Sequence, residues 1–236
     1  TSFKGKKILV TGYNSGIGNC LIKKYLSLGA KVFSTSLKLE FKKKNLTVFR
    51  CNFLDKNSKR NFLKKIENIT FDVVINNAGI NIIDEIYKIK NEDIENIIKV
   101  NLIIPSQIIK ITSRKMIKKR KGKIINISSI FGSISKSKRA SYSSSKSGLI
   151  GLTKACALDL AKYNILVNSV SPGFVDTALT RKVLGKSLMN KMKNNIPLKK
   201  IAKPEEIIPY IIFLSSDNNH YITGQNCIID GGFIIQ

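Results

Sequence analysis

Short apolar runs alternate along the chain with longer stretches in which apolar positions recur every three or four residues. The first run, Lys-Lys-Ile-Leu-Val at 6 to 10, leads into Thr-Gly-Tyr-Asn-Ser-Gly-Ile-Gly at 11 to 18, and then into Leu21, Ile22, Tyr25, Leu26 and Leu28. That order predicts strand, glycine turn, helix. Gly29 and Ala30 close the helix, and residues 31 to 36 form a second strand. About ten residues separate it from the next run, Thr47 to Arg50, so the crossover has room for at most a short helix. Asp55 to Ile66 reads as a helix, and Phe71 to Ile75 as a buried strand ending in Asn76-Asn77-Ala78-Gly79. A long helix over Asn91 to Met116 carries Ile94, Ile97, Ile98 and Leu102 on its apolar stripe, with Asn101 among them.

A basic turn precedes strand Lys123 to Ile127, which ends at Ser128-Ser129, and a loop over 130 to 141 follows. Next come helix Tyr142 to Lys162, strand Ile165 to Val170, and the breaker Ser-Pro-Gly-Phe-Val-Asp-Thr at 171 to 177. Residues 178 to 200 are polar, Lys-rich and weakly helical, which suits a mobile lid. Pro204 opens a helix to Leu214, and Gln225 to Asp230 is a last strand before Gly231-Gly232. The alternation predicts an α/β chain: one domain over 1 to 236, with a doubly wound sheet of seven parallel strands in the order 3-2-1-4-5-6-7 and helices on both faces.

At 236 residues and 43% hydrophobic content the chain can bury a sizeable core. No apolar run reaches the roughly 18 residues of a membrane span. Lys4, Lys6 and Lys7 precede only one short apolar run, which does not read as a signal peptide, although residue 1 is Thr rather than Met. Cys20, Cys51, Cys156 and Cys227 are far apart and His220 is the sole histidine, a pattern that points away from disulfides and metal and toward reduced thiols in the cytoplasm. Against 41 Lys and Arg stand 15 Asp and Glu, a net +26, with no acid before Glu40. Such a field suits nucleic acid, anionic lipid or an acidic partner protein. An AT-rich genome also produces chains rich in Lys, Asn and Ile, and accounts for the lysines better than for the scarcity of acids.

Candidate chemistry gathers at Ser-Tyr-Ser-Ser-Ser-Lys, residues 141 to 146. On a helix, Tyr142 and Lys146 share a face. A positive charge near a phenol, whose free pKa is roughly 10, stabilises the phenolate and makes Tyr142 a candidate general acid/base. In the glycine turn, Gly12, Gly16 and Gly18 lack side chains where a pyrophosphate would approach the backbone, and the helix beyond offers N–H groups and positive dipole. The tip of the second strand, Ser34 to Lys38, has no carboxylate of the kind that binds an NAD ribose. Ser36 and Lys38 would instead receive a 2′-phosphate, which favours NADP(H) and leaves NAD(H) as the alternative.

Taken together, TGYNSGIG at 11 to 18, NNAG at 76 to 79, Asn101, Ser129, YSSSK at 142 to 146 and NSVSPGFVDT at 168 to 177 resemble the short-chain dehydrogenase/reductase family. The nearest flavour is the 3-oxoacyl-acyl-carrier-protein reductase type, which SGLIGLTKACALDLA and YITGQNCIIDGG resemble. The resemblance spans nearly the whole chain and implies a Rossmann-type fold and reduction of a ketone, or oxidation of a secondary alcohol. It implies that Tyr142 passes the proton to the substrate oxygen, Ser129 bonds that oxygen, Lys146 holds the cofactor ribose and lowers the Tyr142 pKa, and Asn101 seats a relay water. The cofactor contacts it implies are Gly12, Tyr13, Asn14, Ser15, Gly16, Ile17 and Gly18 in the turn, Asn52 and Phe53 near adenine, and Asn77, Ala78 and Gly79 at the ribose. Pro172, Gly173, Val175 and Thr177 would hold the nicotinamide amide.

Three positions depart from the family pattern: Ser15 stands where NADP-preferring members often have a base, Asn52 where many have Asp, and Arg139 where a neutral residue often meets substrate. Substrate contacts are then Ser129, Arg139 and Tyr142, with Arg139 suited to a negative group beyond the carbonyl. Arg120 matches a docking position for an acidic carrier protein, with Tyr163 where a second arginine is typical and Lys162 beside it. A homotetramer is the implied assembly. A sugar or other small polar ketone is the alternative substrate, and a non-enzymatic nucleotide sensor or nucleic-acid binder is the alternative from another class.

Overall fold

The computed structural model describes residues 2–14, 16–178, 180–181, 189 and 191–236. Seven parallel strands form the sheet: β1 (Lys7–Val10), β2 (Lys31–Ser36), β4 (Leu46–Arg50), β5 (Val73–Asn76), β6 (Gly122–Ile127), β7 (Ile165–Pro172) and β8 (Asn226–Ile229), with a short eighth strand, β3 (Phe41–Lys43), added at one edge. The order is β3-β4-β2-β1-β5-β6-β7-β8. The parallel strands therefore follow the expected sequence of neighbours. Helices α1 (Gly16–Ser27) and α6 (Pro204–Ser215) cover one face, and α2 (Lys56–Glu67), α4 (Ile104–Lys119) and α5 (Ala140–Ala161) cover the other.

The period-two pattern of the strands divides the core. In β1, Ile8 and Val10 pack with Leu21, Tyr25 and Ile211, while Leu9 between them packs with Phe62, Ile66 and Ile108 on the opposite face. Strands buried on both sides can be apolar throughout, which is why these runs show no alternation of polar and apolar residues.

Two elements differ from the sequence reading. The crossover after β2 contains no helix, within the expected limit of a short one, but it does contain a strand. Residues 41–43 form β3, which pairs antiparallel with β4 across the turn residues Lys44 and Asn45, so the sheet has eight strands rather than seven. The Phe41 ring meets the Tyr13 ring edge-on at 5.6 Å, and this contact with the glycine turn gives the hairpin something to pack on. The long helix over 91 to 116 is interrupted: α3 (Asn91–Ile98) passes through a π-turn at Lys99–Ile103 before α4 begins. A π-turn inserts one residue into the helical ladder, and here it carries Asn101.

Residues 179, 182–188 and 190 of the expected lid lie outside the described residues. At its described end, Met192 and Ile196 are buried. No helix among the described residues is long and apolar enough to cross a membrane.

Helix α1 presents the glycine turn, and its registration depends on Tyr25, fully buried with its hydroxyl 2.7 Å from Ser215 Oγ on α6. Tyr25→Phe should cost about 0.5–1.5 kcal/mol in urea unfolding, because Ser215 keeps its bond to the Ile212 carbonyl. A loss well above that range would mean that α1 depends on this bond for more than one pair of partners.

Candidate active site

The C-terminal ends of β1, β5, β6 and β7 converge on one crevice, the place where open α/β sheets receive ligands. At β1, Gly12 (φ +89°) and Gly16 (φ +62°) adopt left-handed backbone that only glycine takes easily. A Cβ on Gly18 would lie 2.1 Å from the Gly12 carbonyl oxygen and 2.5 Å from Asn77 Nδ2, so α1 starts as close to the end of β1 as backbone allows. Hydroxyls and amides fix this approach. Thr11 Oγ1 accepts from the N–H groups of both Asn77 and Ala78 at 2.9 Å, Asn77 Nδ2 donates to the Thr11 carbonyl at 2.9 Å, and Gly12 N–H donates to Thr35 Oγ1 at 3.1 Å. Thr11 and Thr35 were not among the expected site residues, and their position at strand ends beside the glycine turn was the available signal.

The first turn of α1 has no acidic residue, and the close approach of Gly18 to Gly12 sets the helix N-terminus, with its free N–H groups, at the end of β1. These features fit a pyrophosphate. The Pro172-to-Thr177 segment closes over the same place: the Thr177 methyl would sit 3.1 Å from a Cβ on Gly16, and Val175 bridges to Ala202. Gly173 donates its N–H to the Ile229 carbonyl at 2.9 Å, tying Pro172 and Gly173 to β8. Ser15 lies outside the described residues.

At the β2 end, buried Ser36 accepts from the N–H groups of Lys38 and Leu39 at 3.3 and 3.1 Å, which leaves its hydroxyl proton free to donate. Glu40, the first acid of the chain, is bridged to Lys65 at 2.8 Å. Asn52 is exposed, and its Oδ1 accepts from Leu54 N–H at 3.0 Å. The Phe53 ring turns into the core against Phe62, 5.7 Å between ring centres, so its side chain faces away from the crevice rim where a ligand was expected.

The four residues Asn101, Ser129, Tyr142 and Lys146 meet at the ends of β5 and β6. Asn101 on the π-turn is buried and clamps the main chain of Ile80: Oδ1 accepts from its N–H and Nδ2 donates to its carbonyl, both at 2.9 Å. The same Nδ2 donates to Ser145 Oγ at 3.0 Å, and Ser145 donates to the Tyr142 carbonyl at 2.7 Å. Ser145 is thus a linking residue that the motif alone did not single out. A Cβ on Gly79 would stand 3.2 Å from Asn101 Oδ1 and 3.6 Å from Lys146 Nζ, so this glycine keeps a gap between them.

Lys146 is buried, its Nζ donating to the Ile127 carbonyl at 2.8 Å, and burial lowers its pKa to about 8. The Tyr142 pKa is raised, because burial outweighs the Ser129 hydroxyl and the Arg139 charge, both of which pull it down. Arg139 is a second cation acting on the phenol beside the expected Lys146, whose ammonium lies 5.7 Å from the centre of the Tyr142 ring. The i, i+4 spacing put the two side chains on one face but did not fix where the ammonium ends.

A parallel sheet with a phosphate cradle at β1 and a tyrosine, serine and lysine at β6 and α5 defines a nicotinamide-dinucleotide oxidoreductase. The chain belongs to the short-chain dehydrogenase/reductase family. Residues 12–234 match the family model described as Enoyl-(Acyl carrier protein) reductase. A 3-oxoacyl-[acyl-carrier-protein] reductase FabG of Buchnera aphidicola (subsp. Schizaphis graminum) is 39% identical over 96% of each chain, and the FabG of Aquifex aeolicus 36% identical over 97% of each. Among solved structures, 4-hydroxyisoleucine dehydrogenase complexed with NADH superposes with TM-score 0.92 at 33% identity, covering 98% of this chain and 100% of that one. ElxO with NADP bound superposes with TM-score 0.89 at 28% identity, over 98% and 100%. The cofactor class is therefore NAD(P).

Gly18→Ala tests the cradle. The added methyl should force α1 away from Gly12 and weaken NADPH binding by roughly 10- to 100-fold, the loss of one charged hydrogen bond or slightly more. Isothermal titration reads it, and unchanged affinity would place the phosphates elsewhere.

Proposed function

We propose that the protein is an NADPH-dependent reductase of 3-oxoacyl groups presented on an acidic carrier protein, acting through Tyr142. The observation that carries this reading is the convergence of two hydroxyls, Ser129 and Tyr142, beside a buried ammonium that keeps only one of its three N–H groups for the Ile127 carbonyl. Two hydroxyl donors converging on one point suit a carbonyl oxygen, because one can hold it while the other gives up a proton. A nicotinamide cofactor in the crevice would supply the hydride.

The protein's own residues would then divide the work. Ser129 orients the substrate oxygen. Tyr142 donates its proton, and its raised pKa keeps the phenol protonated until that moment. The two free N–H groups of Lys146 hold the ribose hydroxyls and bring positive charge to the tyrosinate as it forms. Asn101 fixes the segment at Ile80 and Gly79 that walls the site, and the second lone pair of its Oδ1 seats the relay water. The pyrophosphate rests on residues 12 to 18, the ribose on Asn77, Ala78 and Gly79, the adenine on Asn52 and the Phe53 backbone, and the nicotinamide amide on Pro172, Gly173, Val175 and Thr177. Residues 178 to 200 act as the lid.

NADPH is favoured over NADH by the donor set of Ser36 and Lys38, with Glu40 neutralised by Lys65. Support for a carrier-borne substrate comes from the names of the relatives and from Arg120, whose guanidinium donates to the Lys162 carbonyl at 3.0 Å and so gathers two cations at one place on the surface. A homo-oligomer, most simply a tetramer, is supported by apolar side chains left outside on the helices, Ile103 44% and Leu158 81% exposed. Sedimentation at micromolar concentration would show a single monomer if this is wrong.

Tyr142→Phe should abolish reduction of a 3-oxoacyl thioester, by at least about 100-fold in kcat, while NADPH affinity stays within about threefold. Turnover near the parental rate would remove the tyrosine from the chemistry. In the parent, NADPH should bind at least tenfold more tightly than NADH, the worth of one charged hydrogen bond. An equal or inverted ratio would show that Ser36 and Lys38 do not read the 2′-phosphate.

A further inference from the structure

Among the described residues, Arg139 carries a positive charge without a counter-ion. Its side chain is 7% exposed, and among the described residues its Nη1 is buried with no hydrogen-bond partner. Glu85, the acid that reaches this loop, is bridged to Lys88 and, at 3.6 Å, to Lys138. Two residues on, Ser141 also buries a hydroxyl with no partner. A buried guanidinium without an anion is costly, whereas the same group facing an oxyanion is among the strongest recognition elements available.

The position of this charge narrows what it can meet. The guanidinium lies 5.4 Å from the centre of the Phe131 ring, which is 6.5 Å from the Tyr142 ring on one side and 6.2 Å from Phe174 on the other. Its field reaches the Tyr142 phenol. The cofactor phosphates belong at the glycine turn on β1, two strands away from the β6 end where Ser129 and Phe131 sit. The phosphate of a carrier arm is a whole pantetheine length from the thioester, too far to meet a residue beside the phenol while the ketone is being reduced. What remains is a planar anion within a few bonds of the ketone, and the guanidinium fork matches a carboxylate.

The geometry points to Arg139 as the residue that binds a substrate carboxylate, so that the site reduces free 3-oxo acids alongside neutral 3-oxoacyl thioesters. This rests on the reading of Tyr142 as proton donor. The carbonyl carbon gains a hydride from the reduced cofactor, the π pair of the C=O bond moves to oxygen, and that oxygen takes the Tyr142 proton. The cofactor is oxidised, and the product is a 3-hydroxy acid whose carboxylate is untouched.

Initial rates with NADPH would compare 3-oxobutanoate with ethyl 3-oxobutanoate in the parent, R139Q and R139K. R139Q should lower kcat/KM for the acid roughly 10- to 100-fold more than it lowers that for the ester, the extra loss lying in KM, while the loss that both ketones share, from the Arg139 charge acting on the Tyr142 phenol, lies in kcat. R139K keeps the charge without the fork and should fall between. A parent that reduces the ester but not the acid, or an R139Q variant that lowers both alike, overturns the proposal. If the parent reduces neither ketone, it is the reading of Tyr142 that fails, and binding decides the role of Arg139. Succinate added with NADPH should then raise the melting temperature of the parent and not that of R139Q, whereas equal shifts, or none in either, overturn the proposal.

Discussion

The closeness with which α1 can start beside the end of β1 governs the rest of the crevice. With Gly12 carbonyl and Gly18 Cα nearly in contact, there is no space for a side chain, and the helix aims its free N–H groups across the sheet edge. The same approach pulls in β5, because Asn77 fills the remaining gap and is itself bonded to Thr11. Further along, Asn76 Nδ2 donates to Asn126 Oδ1 on β6, and Asn126 Nδ2 donates to Thr153 on α5, the helix that carries Tyr142 and Lys146. These amides thus brace the glycine turn, β5, β6 and α5 against one another in the buried interior, with Asn76 Oδ1 left without a partner among the described residues. The glycine turn and the helix that carries the proton donor are in this sense braced against the same two strands.

Much of this could be read in the chain, for physical reasons that also explain the failures. Parallel strands buried on both faces are unbroken apolar runs, and seven of them stood out together with their order. Strand β3 did not, since Phe-Lys-Lys reads as solvated coil until Phe41 finds Tyr13, a residue far back in the sequence. The π-turn escaped because one inserted residue barely disturbs a helical pattern. Asn101 within the apolar stripe was its only trace. The residue types of the site were legible from spacing, but their partners were not: nothing in Tyr-Ser-Ser-Ser-Lys says that Lys146 turns to the Ile127 carbonyl or that Ser145 joins Asn101 to the tyrosine. For Arg139 the sequence shows a charge in a basic loop, and only the fold shows that the charge is buried. Phe53, expected beside adenine, was drawn into the core by Phe62, since a benzyl group gains more from burial than from lying at an exposed rim.

The two edges of the sheet are unlike, and the difference limits how copies of the protein can pair. An open edge strand invites another strand to add to it, and natural sheets blunt such edges with short strands and lysine. The β3 edge has both devices, three residues long with Lys42 and Lys43 on it and Lys44 in its turn. The β8 edge carries Asn226, Cys227, Ile228 and Ile229, four residues without charge. A sheet that repels additions at one edge and tolerates them at the other stops growing once two open edges have met face to face around a two-fold axis. A pairing of two copies through β8 would leave only the lysine-bearing β3 edges outside, and would be a closed event rather than the start of a fibre.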